Sequence, residues 1–364
     1  MAGHDVIVVG ASAGGVEAVS ALVAGLPADL PAAVCIVVHL RPDAQSHLAD
    51  VLARVTSLPV TAARDGAPLR SGTVHVAVPD LHLLVERGDD DEGVLRVVRG
   101  PRENRARPAV DTLFRSAALA FGPRVIGVIL SGALDDGTAG LWTVKDRGGI
   151  AVVQEPDDAA VPSMPTSALS EVTVDEVAPA RELGPLLGRL AREPAMPTAS
   201  AAEDASSDLV REVRITAVSE EYHQESERYG RPSRFGCPEC GGVLWDVSGQ
   251  GPFRFRCEVG HAHTAASLAE AQTEAVEAAM WSALRALEDK AELARRRSAA
   301  ANERGLLVYA ANFAVQEQAA QQHAAALRAL LRLDGRSGIR PRAHHQEASE
   351  PVDVMTEGEP ATSR

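Results

Sequence analysis

The sequence predicts an α/β fold: a doubly wound, mostly parallel sheet in three α/β/α layers, followed by a small zinc-binding module and an α-helical hairpin or coiled coil. Three observations carry that expectation. From residue 6 to about 192, short β-branched runs alternate with amphipathic stretches, the signature of βαβ units. A Cys/His pattern follows between 235 and 264. Beyond it the chain becomes a long Ala/Leu/Glu/Arg-rich stretch, interrupted near Gly305.

The elements follow in order. Strands are expected at 6–9, 34–38, 74–78, 83–85, 95–98, 125–130 and 150–154, and helices at 15–26, 45–55, 110–121, 137–147 and 183–192. In the first helix Val16, Val19, Leu22 and Val23 share one face, which buries against the sheet. Between 74 and 98 consecutive apolar runs follow one another with little helix between them, so an antiparallel excursion is expected there. The domain reading is 1–193 for the α/β unit, 194–234 for an Ala/Ser/Pro-rich acidic linker, 235–264 for the Cys/His module, 265–333 for the helices and 334–364 for a disordered tail. Within the helices Met280, Leu284 and Leu287 fall at helical spacing, as do Phe313 and the later trio Leu327, Leu330 and Leu331.

Composition narrows the class. The 364 residues are 45% hydrophobic and carry a formal charge of -14, which argues against nucleic acid as partner because phosphate binding needs a basic surface. No apolar run approaches the roughly 20 residues of a membrane-spanning helix, so the chain is not expected to be membrane-embedded. No secretory signal is expected, since a basic n-region is missing before the first apolar run. Three of the four cysteines are clustered, which fits metal binding in a reducing compartment, and a cytoplasmic protein is expected. Cys35, inside an apolar strand, reads as a small buried hydrophobe without chemistry.

Three strand-like runs stop at residues that nucleophilic hydrolysis needs. The first ends in Gly10-Ala11-Ser12-Ala13-Gly14-Gly15, the second in His39, and the third in Ser131-Gly132-Ala133-Leu134-Asp135-Asp136-Gly137. In open parallel sheets the carboxyl ends of strands line one crevice, so the three would share an edge. Ser12 matches G-x-S-x-G, a strand-to-helix turn that projects a hydroxyl and leaves backbone N–H groups free for an oxyanion. His39 would serve as general base, and a carboxylate of the Asp135-Asp136 pair would orient the imidazole. Two competing readings are a phosphate-binding glycine turn and a plain serine cap at a helix start. Against the first, Ser12 occupies the second glycine position and His39 stands where an acidic residue would end the second strand.

These residues resemble a known family. The 10–15 turn, the Val38-His39 strand end, Pro79-Asp80 with His82-Leu83, Arg107-Pro108-Ala109-Val110-Asp111 with Leu113-Phe114, and the 130–137 loop resemble the CheB-type chemotaxis protein-glutamate methylesterases over about 5 to 190. The resemblance implies Ser12 as nucleophile, His39 as base and Asp136 as the triad carboxylate. It implies the N–H groups of Ala13 and Ala133 as oxyanion donors, although the family usually carries threonine and methionine there. Arg41 and Arg107 become candidates for binding an acidic receptor helix, with a surface charge or a structural ion pair as the plainer alternative. The implied activity is hydrolysis of glutamate γ-methyl esters on chemoreceptors or a related methylated signalling protein, with release of methanol and, in many members, deamidation of glutamines. No cofactor is expected for catalysis. With Ser12 this near the start of the sequence, the family's usual N-terminal receiver domain is not expected ahead of it. A regulatory or assembly protein using a methylesterase-like domain for binding is the alternative reading. Another serine hydrolase acting on a small ester is a third, though α/β-hydrolases run serine, acid, histidine.

Cys237, Cys240, Cys257 and His261 give C-x2-C-x16-C-x3-H, which satisfies tetrahedral zinc with no open position, so a structural Zn2+ is expected. His263 is an alternative fourth ligand. The competing reading is a metal-free β-module held by Trp245, Phe253 and Phe255. The helices behind it suit self-association or docking on a receptor's helical bundle.

Overall fold

Valine, isoleucine and alanine fill the main sheet because both of its faces are covered, a demand that parallel strands impose. In the computed structural model the described residues are 3–43, 46–88, 92–196, 207–218, 230–249 and 251–334. The main sheet comprises β1 (Val6–Ala11), β2 (Ala33–Val38), β3 (Val60–Ala62), β4 (Val74–Val76), β7 (Val125–Ile129), β8 (Ile150–Gln154) and β9 (Glu176–Ala178). All seven run parallel in the order β3-β4-β2-β1-β7-β8-β9. Alternate residues feed two cores. Ile7, Val9 and Ala11 join Val34, Ile36 and Val38 on one face, while Val6 and Val8 join Cys35 and Val37 on the other. Helices α1 (Gly15–Ala24), α2 (Leu48–Ala53) and α6 (Ala180–Leu190) cover the first face, and α3 (Val110–Phe121), α4 (Thr138–Asp146) and α5 (Ser163–Glu171) the second. The antiparallel excursion is the pair β5 (His82–Arg87) and β6 (Gly93–Val98).

The sequence pattern missed β3, β9 and α5. Both strands are three residues long and partly exposed at the sheet edges, so they carry no apolar run. The α5 sequence buries only Met164, Pro165 and Ala168, too sparse a stripe for periodicity to reveal. The helix expected over 45–55 begins at Leu48, with Gln45 outside the described residues. The stretch expected as a linker contains α7 (Ser207–Ala217), whose Leu209 and Val213 pack with Leu84 of β5.

The Cys/His segment folds as a four-stranded antiparallel sheet, β10 (Arg231–Gly236), β11 (Val243–Asp246), β12 (Arg254–Cys257) and β13 (Ala262–Thr264). Then follow α8 (Ala265–Glu303) and α9 (Leu307–Asp334), reversing at Gly305, whose φ of 72° suits glycine. The chain divides into two compact units, Met1–Thr273 and Glu274–Arg364. In the second, Ala294, Ala301, Ala310, Ala320 and Ala324 are buried, and small side chains of this kind let two helices approach closely. Arg297 lies over the Phe313 ring at 4.1 Å, and Arg328 pairs with Glu288. Leu330, read as part of an apolar trio, is instead exposed. The expected disordered tail lies outside the described residues. Among the described residues no helix is long and apolar enough to cross a membrane.

In the first unit the α/β sheet, α7 and the small sheet are joined by buried charge. Glu103, in the loop after β6, pairs with Arg115 of α3 and with Arg256 of β12 at 2.8 Å. Glu212 of α7 pairs with Arg254 at 2.5 Å, Arg115 at 3.3 Å and Arg256 at 3.5 Å. Thr216 donates to Glu103 at 2.7 Å. Burial alone would raise the Glu103 carboxyl, but the Arg115 and Arg256 guanidiniums outweigh it and hold it well below the usual range. A carboxylate depressed in the fold stabilises it above its unfolded value, about 4.3, and that contribution disappears as the pH falls through the folded value. Glu103→Ala leaves Arg115 and Arg256 only the more distant Glu212 as counter-charge and should cost about 3 kcal/mol of unfolding free energy at pH 7. Urea titrations of both proteins measure it, and the difference should shrink in acid; equal midpoints at pH 7 would contradict the pairing.

Candidate active site

The register of β1 brings the sequence-predicted residues together. Ala11 pairs with Val38 and Gly10 with Ile129, so the strand ends of β1, β2 and β7 stand at one level. Because β2 continues the sheet on one side of β1 and β7 on the other, Ser12 emerges at the switch point, where the connecting loops part and leave a crevice. Backbone bonds fix the turn: Ser12 N–H donates to Ser131 O at 2.9 Å and His39 N–H to Ala11 O at 3.1 Å. The Ser131 hydroxyl, fully buried, donates to Ala13 O at 2.8 Å. Gly14 sits at φ 70°, and a Cβ there would lie 2.8 Å from Ser131 Oγ. Gly132 is needed for a second close approach, since its Cβ would lie 2.8 Å from Ser12 Cβ and collide with Met164 Sδ.

Ser12 Oγ lies 3.1 Å from His39 Nδ1, and His39 Nε2 lies 2.7 Å from Asp136 Oδ2. With the carboxylate ionised, Nε2 carries the proton and donates to Asp136, leaving Nδ1 as acceptor for the serine hydroxyl. The His39 side chain keeps 21% exposure whereas Asp136 keeps 3%, so the imidazole borders solvent and the carboxylate does not. Asp136 also accepts from Val110 N–H at 2.7 Å, Asp111 N–H at 3.2 Å and Asn104 Nδ2 at 2.8 Å. Burial would raise its carboxyl, but the His39 bond and charge, then Asn104 and Val110, bring it below its ordinary value. Its neighbour Asp111 goes the other way: burial first and the Asp136 charge second push it up to about 7. Two buried carboxylates this close do not ionise equally, and Asp136, which accepts from His39, Asn104, Val110 and Asp111, keeps the charge.

The N–H groups of Ala13 and Ala133 donate to no protein acceptor among the described residues, which leaves both available to a ligand oxygen. Arg41 is exposed and pairs with Asp43 at 2.9 Å. Arg107 is held in place: Nε donates to Asp80 Oδ1 at 3.0 Å, Nη2 to the same oxygen, and Nη1 to Gly100 O at 2.7 Å. Cys35 is fully buried in β2, where burial pushes its thiol up to about 12.

At the Cys/His site the Cys237, Cys240 and Cys257 sulfurs and one His261 nitrogen lie within 4.8 Å of one another. Cys240 Sγ and Cys257 Sγ are 3.6 Å apart, and His261 Nδ1 is 3.6 Å from Cys257 Sγ and 3.8 Å from Cys237 Sγ. A tetrahedral zinc with Zn–S near 2.3 Å requires edges of about 3.8 Å, so this group fits that ion. Gly241, at φ 75°, closes the first knuckle by donating to Cys237 O. His263 is buried behind the group, with Nε2 3.9 Å from Cys237 Sγ. Four protein donors leave no open position, so such an ion would hold β10–β13 together.

Sequence reasoning missed Asn104 and gave Asp111 no role. Asp111 Oδ1 accepts from Gly137 N–H at 3.1 Å and Gly140 N–H at 2.6 Å, tying α3 to the start of α4. Asn104 sits in a loop with no periodicity, and only its distance from Asp136 reveals it. His82, also unassigned, bonds Pro101 O at 2.8 Å and accepts from Ala109 N–H at 3.2 Å, bracing both ends of that loop.

Comparison with known proteins covers the α/β unit. The family model described as CheB methylesterase matches residues 7–187. A putative protein-glutamate methylesterase/protein-glutamine glutaminase of Leptospira interrogans is 34% identical over 187 residues, covering 51% of this chain and 95% of that protein. The protein-glutamate methylesterase/protein-glutamine glutaminase of a Nocardioides species is 40% identical over 195 residues, 53% of this chain; the chain spans only 52% of that relative. The crystal structure of the Thermotoga maritima CheB methylesterase catalytic domain aligns at 31% identity with a TM-score of 0.50, covering 52% of this chain and all of that one.

The family model ends at residue 187, so the Cys/His site rests on its own geometry. Metal analysis of the full chain should find about one zinc per molecule. The double variant Cys237→Ser, Cys240→Ser should lose it, and a full metal complement in that variant would overturn the ligand set.

Proposed function

This chain belongs to the CheB methylesterase family, and from that membership we propose that it is a protein-glutamate methylesterase acting on chemoreceptors or a related methylated signalling protein in the cytoplasm. The observation that carries the reading is the relay Ser12 Oγ–His39–Asp136, with spacings of 3.1 and 2.7 Å. His39 Nδ1 takes the Ser12 proton as Oγ attacks the γ-carbonyl of the methyl ester. Asp136 stabilises the imidazolium, and the N–H groups of Ala13 and Ala133 receive the oxyanion. Collapse breaks the C–OCH3 bond, and the His39 proton leaves on methanol. Water, deprotonated by His39, then attacks the acyl-serine and releases glutamate and Ser12. A glutamine side chain would follow the same course with ammonia leaving, which gives the deamidase activity.

Of the two arginines considered for receptor docking, Arg41 remains with its guanidinium at the surface, on the loop that carries His39. Arg107 serves the fold through Asp80. The helical hairpin suits self-association and the Cys/His module assembly.

Purified protein should release methanol from methylated receptor membranes, and Ser12→Ala should lower the rate by about 10,000-fold or more. Folded wild-type protein releasing no more than Ser12→Ala would replace this reading with that of a regulatory binding protein.

A further inference from the structure

The appended module reaches the candidate catalytic carboxylate through one side chain. Asn104 is 9% exposed, and its Nδ2 donates both to Asp136 Oδ1 at 2.8 Å and to Asp111 Oδ2 at 2.9 Å. It is the amide wedged between two buried acids. Its Oδ1 is held from the other side, accepting from Thr264 N–H at 2.9 Å and from Ser267 Oγ at 3.2 Å. The backbone of the same residue donates to Ala262 O at 2.8 Å. So every polar group of this side chain is used, with donors facing the α/β unit and the acceptor facing the junction of β13 and α8. An amide whose oxygen is fixed this way cannot flip to present that oxygen to the carboxylates.

The junction contacts the same loop a second time. Thr264 is the residue before α8, and its Oγ1 accepts from Ser267 N–H at 3.1 Å, capping the helix. That hydroxyl also donates to Asp135 Oδ1 at 2.7 Å, next to Asp136. Three residues back along the chain lies His261 of the Cys/His group. The helical start, the metal-fitting cluster and the catalytic loop are therefore joined by direct contacts within the first unit.

We propose that Asn104 is a positioning residue for hydrolysis, fixed by residues 262–267 of the appended module, so that this module sets how Asp136 holds His39. The proposal rests on the reading of Ser12, His39 and Asp136 as the reacting set. The physical content is charge compensation. Two of the groups closest to Asp136 are acids: Asp111 on α3 and Asp135 on its own loop. His39 at the end of β2 and His82 on β5 face it as well. Arg115 and Arg254 act on Asp111 from the buried ion cluster, and Glu171 acts on Asp135 from α5. Without the Asn104 donor, the negative charge on Asp136 loses a partner on the side facing Asp111. The His39–Asp136 pair then takes up a proton at higher pH, and Oδ1 keeps only the longer bond from Asp111 N–H, which holds the carboxylate less firmly against the imidazole.

The test uses the full chain with Asn104→Ala and, as a milder change that keeps the backbone bonds, Ser267→Ala. Folding is checked by circular dichroism. The first readout is the strongly downfield proton resonance of the His39 Nε2–H···Asp136 bond, which requires no turnover. The second is the pH profile of ester hydrolysis. For Asn104→Ala we expect the resonance to broaden away, the acidic limb of kcat/KM to move up by about one pH unit, and kcat to fall about tenfold or more with KM little changed. Ser267→Ala should move both readouts in the same direction by a smaller amount, and it carries the test alone if Asn104→Ala does not fold. Folded variants with a wild-type resonance and an unmoved acidic limb would overturn the proposal. Wild-type protein lacking both the resonance and hydrolysis would instead unseat the catalytic reading itself.

Discussion

The rest of the site depends on keeping a full negative charge on Asp136 where water does not reach. Both carboxylate oxygens are used twice: Oδ1 by Asn104 Nδ2 and Asp111 N–H, Oδ2 by His39 Nε2 and Val110 N–H. Two of those donors are the first N–H groups of α3, which have no partner within their own helix and carry the positive end of its dipole. A carboxylate placed there is stabilised without a cation beside it. Asp111, the second residue of that helix, goes the other way: burial, then the charge already in place on Asp136, raises it to about 7. The asymmetry between two neighbouring acids selects which of them holds the histidine.

How much of this can be read from sequence follows from the range of each interaction. The strand runs were legible because parallel strands covered on both faces demand uninterrupted apolar residues, and the residues ending three of them, Ser12, His39 and the Asp135-Asp136 pair, are conspicuous for that reason. The topology then delivers them to one edge without further information. Edge strands β3 and β9 lack that demand and left no trace. Asn104 and Thr264 were illegible for a different reason. Their partners lie 32 and 129 residues away, and single hydrogen bonds between loops impose no spacing on the intervening chain. The same holds for Glu103 and Arg256, 153 residues apart. Cysteine spacing, by contrast, is local within each knuckle, so the metal-fitting group could be named in advance.

The small sheet meets the α/β unit through a junction that is ionic at its centre. Glu103, Glu212, Arg115 and Arg256 are all within 4% of complete burial, and each is paired. Replacing such a cluster by well-packed apolar residues would cost little stability, so its value lies in specificity. An apolar patch tolerates sliding by a few ångströms; two carboxylates shared among three guanidiniums do not. Because Glu103 precedes Asn104 directly, the register fixed by the ions is handed to the residue that touches Asp136.

The two alanines in the candidate oxyanion turns are best understood through the loops that carry them. At 133 the backbone path is determined on either side: Gly132 is required by the approach of Ser12 and Met164, and Leu134 sits at φ 60°, a left-handed conformation that a non-glycine residue adopts at some cost. At 13 the path is set by Ser131, which binds the carbonyl of Ala13 and occupies the space beside Gly14. In both turns the direction of the N–H is therefore imposed by neighbours and not by the side chain at the donor position. The candidate donors at 13 and 133 are therefore oriented by Ser131, Gly132 and Leu134, whatever side chain stands beside them.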